Sequence, residues 1–176
     1  MRRRPTVTAF AFALAAPLGL PWSATAQAAA PLVEAAERGD LALVRKLLDT
    51  GSAVEQRDAR RRTPVLAASA GNHLKVVRLL ISRGANVNAQ DEQRDSAFLL
   101  AGARGHTEIV RAALAAGADL KSTNRYGGTA LIPACHHGHV ETVRVLLATA
   151  IDVDHVNNLG WTALLEAVVL GDGGPA

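Results

Sequence analysis

The chain has 176 residues and a formal net charge of +3, with 19 lysine and arginine residues against 16 aspartate and glutamate residues. Arg2, Arg3 and Arg4 lie together at the N-terminus, and removing these three from the 19 leaves 16 basic side chains against 16 acidic ones. This balance argues against a nucleic-acid-binding protein. The single cysteine, Cys135, excludes an internal disulfide, so packing alone must stabilise the fold.

Residues 1–28 have the pattern of a signal peptide. An apolar segment from about Thr8 to Leu20 follows the basic start, and the small residues after Pro21 allow Ala-x-Ala cleavage after Ala26 or Ala28. An uncleaved membrane anchor is the alternative, but the apolar segment is shorter than the roughly 18 to 20 residues that cross a bilayer. We expect general secretion, a periplasmic or secreted mature protein, and no stable membrane insertion after cleavage.

The rest of the chain repeats with a step of 33 residues. Three sets of positions share this step: Thr63, Ser96, Thr129 and Thr162; Gly39, Asn72, Gly105, Gly138 and Gly171; and Val44, Val77, Val110 and Val143. A period of this size is typical of a small supersecondary unit that buries its apolar side only by stacking on copies of itself. The units run from about 30–62, 63–95, 96–128 and 129–161, with a partial unit at 162–176.

The second unit shows the elements most clearly. Thr63 is a good N-cap and Pro64 fits a first helical turn, which predicts a helix through Ala70. A break at 71–73 precedes a second apolar-periodic helix over Leu74 to Ser82, and Gly84 can end that helix in the left-handed conformation. Each unit is therefore predicted to be a pair of short antiparallel helices.

The fourth and last units differ from this pattern. Pro133 falls in the first turn of its helix, where proline is tolerated. In the last unit, Leu164 to Leu170 can form a first helix, but the chain stops before a second one. Either the sequence is part of a longer protein, which we favour, or Val168, Val169 and Leu170 contact a partner.

The repeated residues closely resemble those of ankyrin repeats. The match rests on Thr63-Pro64 with Ala67-Ala68, Leu79-Leu80, Gly84-Ala85-Asn86, Gly105-His106, Gly117-Ala118-Asp119 and Gly138-His139. It covers the chain from about Pro31 to the C-terminus. The resemblance implies an all-α solenoid of helix-turn-helix units, with projecting hairpin-like loops and a concave binding face. It also implies that His73, His106 and His139 serve the turn between paired helices.

Repeat-equivalent apolar residues predict the core. One column is Leu32, Val65, Phe98, Leu131 and Leu164, and a second is Ala35, Ala68, Ala101, Ala134 and Ala167. Alanine lets neighbouring helices approach closely. A third column, Leu47, Leu80, Ala113 and Leu146, joins the valines in a continuous apolar spine.

Two departures from the family pattern bear on the loops and junctions. Arg61 and Arg94 stand where the later units have Gly127 and Gly160, so we expect the first two hairpins to be strained or rearranged. The first helix of each unit carries an aliphatic residue where the family usually has histidine, which predicts drier junctions. These residues are Val33, Leu66, Leu99, Ile132 and Leu165.

No catalytic motif is present, and we expect a non-enzymatic protein without a cofactor. His136 and His137 lie near Cys135, but adjacent residues point about 100° apart around a helix, which is poor geometry for one metal ion. We expect no metal site. Cys135 is interpreted as a small buried hydrophobic residue, not as a redox thiol.

The loops that link the units have diverged in sequence, which suits recognition of a shaped partner. Aromatic residues are natural anchors and arginines can pair with carboxylates, although a merely solvated edge, with Trp161 packed on its neighbour, is the alternative. The candidate partner-binding residues are Arg60, Arg62, Asp95, Tyr126, Leu159, Trp161, His136 and His137.

These features favour an exported, monomeric protein-binding module that binds a protein through its concave face and hairpin tips. One alternative is a metal- or oxidative-stress-related accessory protein that uses Cys135, His136 and His137. This alternative draws on the association of similar exported bacterial ankyrin proteins with oxidative-stress defence. Another alternative is a secreted protein that binds a host target.

Overall fold

The computed structural model describes residues 30–170. The predicted signal peptide and the segment from Gly171 lie outside the described residues. Within 30–170 the chain is all-helical, without a strand, and its elements in order are α1 (Pro31–Glu37), α2 (Leu41–Asp49), α3 (Pro64–Ala70), α4 (Leu74–Ser82), α5 (Ala97–Ala103), α6 (Thr107–Ala115), α7 (Leu131–His136), α8 (Val140–Leu147) and α9 (Ala163–Leu170). None of these helices is long and apolar enough to cross a bilayer.

The helices form two stacked layers. The first helix of each unit contacts the first helix of the next, so that α1, α3, α5, α7 and α9 make one layer. The second helices, α2, α4, α6 and α8, make the other layer. This arrangement confirms the predicted solenoid of helix pairs.

The alanine column carries the contact between first helices. Ala35, Ala68, Ala101 and Ala134 have no exposed surface, and they lie in one continuous core with Val44, Val77, Val110 and other apolar residues. Small side chains at this position allow the helix backbones to approach closely, so the large residues of the neighbouring column can fill the remaining space. Phe98 is fully buried in this way.

The last members of two predicted core columns are not buried. Leu164 is 71% exposed and Ala167 is also exposed, which corrects their assignment to the core. The equivalent residues of earlier units are covered by the following unit, and within 30–170 nothing follows α9. At the edges of the second layer, Leu47 and Val143 are only partly buried.

Side-chain caps begin three of the first helices. The hydroxyls of Thr63, Ser96 and Thr162 accept from the amides of Leu66, Leu99 and Leu165 at 3.4, 3.2 and 3.2 Å. Thr129 is the exception, because its Oγ1 is buried and has no hydrogen-bond partner among the described residues. The N-cap position of α7 is Ala130, one residue later, so the fourth unit begins its first helix differently.

The histidines after the helix-helix turn tie each unit to the one before it. His73 donates from Nε2 to the carbonyl of Glu37 at 3.0 Å, and His106 donates from Nδ1 to the carbonyl of Ser69 at 2.8 Å. The ring of His139 occupies the equivalent place beside Gly105, where a Cβ would come within 2.6 Å of it. These contacts agree with the structural role that the resemblance implies for the histidines.

The first two hairpins keep the same backbone conformation as the later ones. Arg61 and Arg94 both have φ of 60°, in the left-handed region that Gly127 and Gly160 occupy at 71° and 81°. The expectation of strain is therefore supported, because an L-residue in this region is disfavoured by about 1–2 kcal/mol. The expectation of rearrangement is wrong, since the surrounding hairpin hydrogen bonds hold the residues in place.

Replacing arginine with glycine, or glycine with alanine, at the hairpin position with positive φ should change the stability in opposite directions. We expect Arg61→Gly to raise the free energy of unfolding by about 0.5–1 kcal/mol, because relief of strain exceeds the entropic cost of glycine. Gly160→Ala should lower it by about 1 kcal/mol through φ alone, since a Cβ at Gly160 would meet open space. Urea denaturation measures both changes. A loss of stability in Arg61→Gly would contradict the strain argument.

Candidate protein-binding face

One polar side chain shapes each hairpin loop in the described part of the chain. In the third loop, Asn124 Oδ1 accepts from the amides of Tyr126 and Gly128 at 2.9 and 3.1 Å. The same pair of bonds recurs in the other loops, where the accepting residues are Asp58, Asp91 and Asn157. This is an Asx turn that fixes the loop backbone and leaves the side chains at its tip free.

Successive hairpins are joined by main-chain hydrogen bonds. The amide of one loop donates to a tip carbonyl of the loop before it, over distances of 2.9 to 3.2 Å. The pairs are Glu92 to Arg60, Arg125 to Gln93, and Asn158 to Tyr126. Because these bonds involve only the backbone, the tip side chains can differ in every unit without loss of the loop array.

Two adjacent grooves lie between the hairpins and the first helices. The first, which we call the arginine groove, has a volume of about 250 Å³ and is lined by residues that include Arg60, Arg62, Leu66, Asp95, Leu100 and Arg104. The second, the histidine groove, has a volume of about 350 Å³, and its lining includes Asp95, Leu100, Tyr126, Gly128, Ile132, His136, His137 and Leu159. Asp95 and Leu100 belong to both grooves.

Arg62 is committed to partners within the chain. Its Nε donates to Asp58 Oδ2 at 2.7 Å, its Nη1 donates to Glu37 Oε1 at 2.7 Å, and its side chain is only 15% exposed. The hydrogen bond from Arg62 lowers the pKa of Glu37 against the effect of burial. Burial tends to raise the pKa of Asp58, but hydrogen bonds from the side chain and amide of Arg62 outweigh it, so this pKa is lowered too.

The histidine groove presents exposed anchors beside an apolar floor. Tyr126 is 50% exposed and Leu159 is 69% exposed. The guanidinium of Arg125 stacks over the Tyr126 ring at 4.6 Å from its centroid, and its Nη2 donates to the tyrosine hydroxyl at 2.6 Å. An aromatic side chain that is both exposed and held in one orientation loses little entropy when a partner binds.

The histidine pair makes contacts with neighbouring side chains at the edge of the groove. His136 Nδ1 lies 2.9 Å from Glu166 Oε2, while the His137 ring meets the His136 ring edge-on at 4.6 Å between centroids. Burial, followed by the neighbouring His136 and His139, lowers the pKa of His137. No group of three potential ligands suited to a metal is found within residues 30–170.

Cys135 lacks the surroundings of a reactive thiol. It is partly buried and free, and burial together with the charge of Glu166 raises its pKa. A raised pKa reduces the fraction of thiolate, which is the nucleophilic and metal-binding form. The local chemistry therefore fits a residue that packs against the core, but Cys135 is only partly buried, which corrects the prediction of a buried residue.

Comparisons with known proteins agree with this architecture. The family model described as "Ankyrin repeats (3 copies)" matches residues 22–91 and 98–173. The chain belongs to the ankyrin repeat family. Among solved structures, an ankyrin repeat domain from Acinetobacter baumannii AYE is 51% identical, with a TM-score of 0.78 over 82% of this chain and 74% of that chain. A search of curated proteins finds no match.

The ankyrin fold gathers most of the predicted partner-binding residues on one face. Tyr126, Leu159, His136 and His137 line the histidine groove, where they are joined by Asp95. Arg60 and Arg62 line the arginine groove, but only Arg60 is exposed there without a side-chain partner among residues 30–170. Trp161 is half-buried after the fourth hairpin and is not among the residues that line either groove.

Several residues of this face were missed by sequence reasoning. Leu100, Ile132 and Glu166 line the histidine groove from the first helices, and Glu37 holds Arg62 across the unit boundary. The Asx residues were also missed, although they share the 33-residue step. That step was the available signal for them, whereas the contact between Glu37 and Arg62 depends on how one ankyrin repeat lies against the next.

Removing the Arg62 side chain should destabilise the ankyrin domain in a pH-dependent way. We expect Arg62→Met to lower the free energy of unfolding by about 1–2 kcal/mol at pH 7, because it removes the guanidinium that donates to Asp58 Oδ2 and to the carboxylate of Glu37. Both carboxyls have lowered pKa values in the folded state, so their stabilisation is complete above the unfolded pKa and is lost as the pH falls through the folded pKa. The difference from wild type should shrink below about pH 4.5.

Urea denaturation between neutral pH and pH 3 measures this difference, with Arg60→Met as the matched control. Arg60 lies in the same loop but is exposed, so its replacement should change stability by less than about 0.5 kcal/mol. Equal losses in the two variants, or a loss for Arg62→Met that does not change with pH, would show that the ion pairs are not responsible.

Proposed function

We propose that this chain is a non-enzymatic, exported module that binds a protein partner through the face formed by the hairpins and the first helices. Ankyrin repeats are generally protein-protein interaction modules. Export is supported by the basic and apolar pattern of residues 1–28, which precede the first repeat. A fold alone does not define a function, so the proposal rests on the residues of this face.

The observation that carries the proposal is a groove whose exposed residues are not needed for the core. Tyr126 and Leu159 are exposed at the tips of hairpins that are fixed by backbone bonds and by Asn124 and Asn157. Exposed aromatic and aliphatic side chains on a rigid support are typical of binding surfaces, where central anchors supply most of the affinity. Their neighbours His136 and His137 add polar contacts at the edge of the same groove.

Site-specific photo-crosslinking tests the face directly. A photoreactive phenylalanine analogue that replaces Tyr126 in the full chain, expressed in a bacterial host with an intact export pathway, should form discrete adducts with a protein partner. The matched control places the analogue at Val140, which is 59% exposed on α8 in the opposite layer. We expect adducts from position 126 that are several-fold stronger than those from position 140 and are reduced by Leu159→Ala. Equal labelling from the two positions, or none from position 126, would contradict the proposal.

The export step has its own test. N-terminal sequencing of the protein recovered from the periplasm or medium should give a mature chain that begins at Gln27 or Ala29, because cleavage is expected after Ala26 or Ala28. Replacing Ala24, Ala26 and Ala28 with a large charged residue should cause the uncleaved precursor to accumulate. A chain that keeps Met1 and remains in the cytoplasm would rule out export.

A further inference from the structure

Asp95 occupies a distinctive place on the binding face. It is the residue before the cap of α5, and it lines both the arginine groove and the histidine groove. The repeat-equivalent positions hold Arg62, Gly128 and Trp161. Its carboxyl group therefore lies where the two grooves meet, and a partner that spans both grooves would contact it.

The carboxylate of Asp95 is half-buried and has no direct hydrogen-bond or ion-pair partner among the side chains of residues 30–170. No described side chain donates to it or forms an ion pair with it, whereas Arg62, at the equivalent position, contacts two carboxylates. Burial, together with the charge of Asp91, raises the pKa of Asp95, although the charges of Arg125 and Arg104 act in the opposite direction. Unpaired burial of a carboxylate is unfavourable, so a cation should bind here with a net gain.

The two nearby arginines are held by other groups. Arg104 donates from Nη1 to the carbonyl of Ala70 at 2.6 Å. Arg125 stacks on Tyr126 and donates to its hydroxyl at 2.6 Å. Both guanidinium groups therefore act on Asp95 through their charge without donating a hydrogen bond to it, so its carboxylate oxygens remain available to a donor from outside the chain.

Gly128 keeps the space next to Asp95 open. Its φ is not in the left-handed region, and a Cβ there would make only ordinary contacts, at 3.6 Å to Asn124 Oδ1 and 3.8 Å to Ile132 Cβ. Neither backbone conformation nor packing therefore requires glycine at this position. The missing side chain instead leaves room in the histidine groove beside Leu100, which is partly exposed, and above Ile132, which is buried and lines its floor.

We infer that Asp95 binds the arginine or lysine side chain of a partner polypeptide, and that an apolar residue next to it enters the groove lined by Leu100, Gly128 and Ile132. This inference rests on the proposed protein-binding function and specifies the chemistry of the partner. Charge complementarity selects the occupant at the Asp95 carboxylate itself, because Asp91 and Glu92 on the same hairpin add to its negative charge, although arginines also line the arginine groove. A guanidinium can also form two parallel hydrogen bonds with one carboxylate.

Selection from a phage-displayed random peptide library on the immobilised full chain tests the inference. Selected peptides should be enriched in arginine or lysine next to an apolar residue. The selected peptides are then synthesised, and their dissociation constants are measured by calorimetry. We expect the dissociation constant for Asp95→Asn to be at least about tenfold higher than for wild type, because the variant loses the charge without a change of shape. The matched control is Asp91→Asn, which removes one charge from the same hairpin. Asparagine can keep the Asx turn of this loop, because Asn124 and Asn157 form the equivalent turns through Oδ1 in their own loops.

A third variant, Gly128→Leu, separates this inference from the proposed function. It should block the histidine groove and abolish peptide binding, while thermal unfolding checks that each variant remains folded. Peptides without basic residues, or equal binding to Asp95→Asn and Asp91→Asn, would overturn the role of Asp95. If Gly128→Leu still abolishes the binding of such peptides, the histidine groove remains a binding site, and only the role of Asp95 is overturned. Failure to select any peptide, or binding that is unaffected by Gly128→Leu, would count against both proposals.

Discussion

The close approach of successive first helices is the contact on which the rest of this structure depends. A pair of helices of six to nine residues cannot bury its own apolar side, so each unit is stable only against its neighbours. The alanine column at Ala35, Ala68, Ala101 and Ala134 makes that approach possible. A larger side chain there would separate the helices and, with them, the hairpins that join through their backbones.

This stacking frees one face of the molecule from structural demands. The hairpins are held by an Asx residue within each loop, by a backbone bond between loops, and by side chains that donate to the carbonyls of a neighbouring loop, namely those of Arg57, Gln90 and His155. None of these bonds uses the side chains of Tyr126 and Leu159. The units can therefore share one backbone and still present different chemistry. Tyr126 and Leu159 are exposed for this reason, while Phe98, at a position that faces the next unit, has no exposed surface.

Charge on this face is governed by local pairing and not by composition. Arg62 and Asp95 occupy the same position in successive units, yet Arg62 forms ion pairs with Asp58 and Glu37, whereas Asp95 has no such partner among residues 30–170. A surface that carries both positive and negative residues can thus contain one charged side chain that stabilises the fold and another that is free to contact a partner. The distinction matters for interpreting mutations, because replacing Arg62 changes folding and replacing Asp95 changes chiefly the charge in the groove.

The sequence by itself determined the period, the helix pairs, the alanine column and the hairpin positions. Each follows from local preferences, repeated in register, that select the same unit several times.

The tertiary structure decided which members of those columns are buried. Leu164 shares its register with Phe98 but is exposed, because no described unit covers it. Arg61 and Arg94 adopt a glycine-like φ because surrounding hydrogen bonds hold the loop. The grooves, and the unpaired charge of Asp95 between them, form only when residues from separate units meet. Spacing along one chain specifies the unit, but the environment of a side chain depends on the neighbouring units.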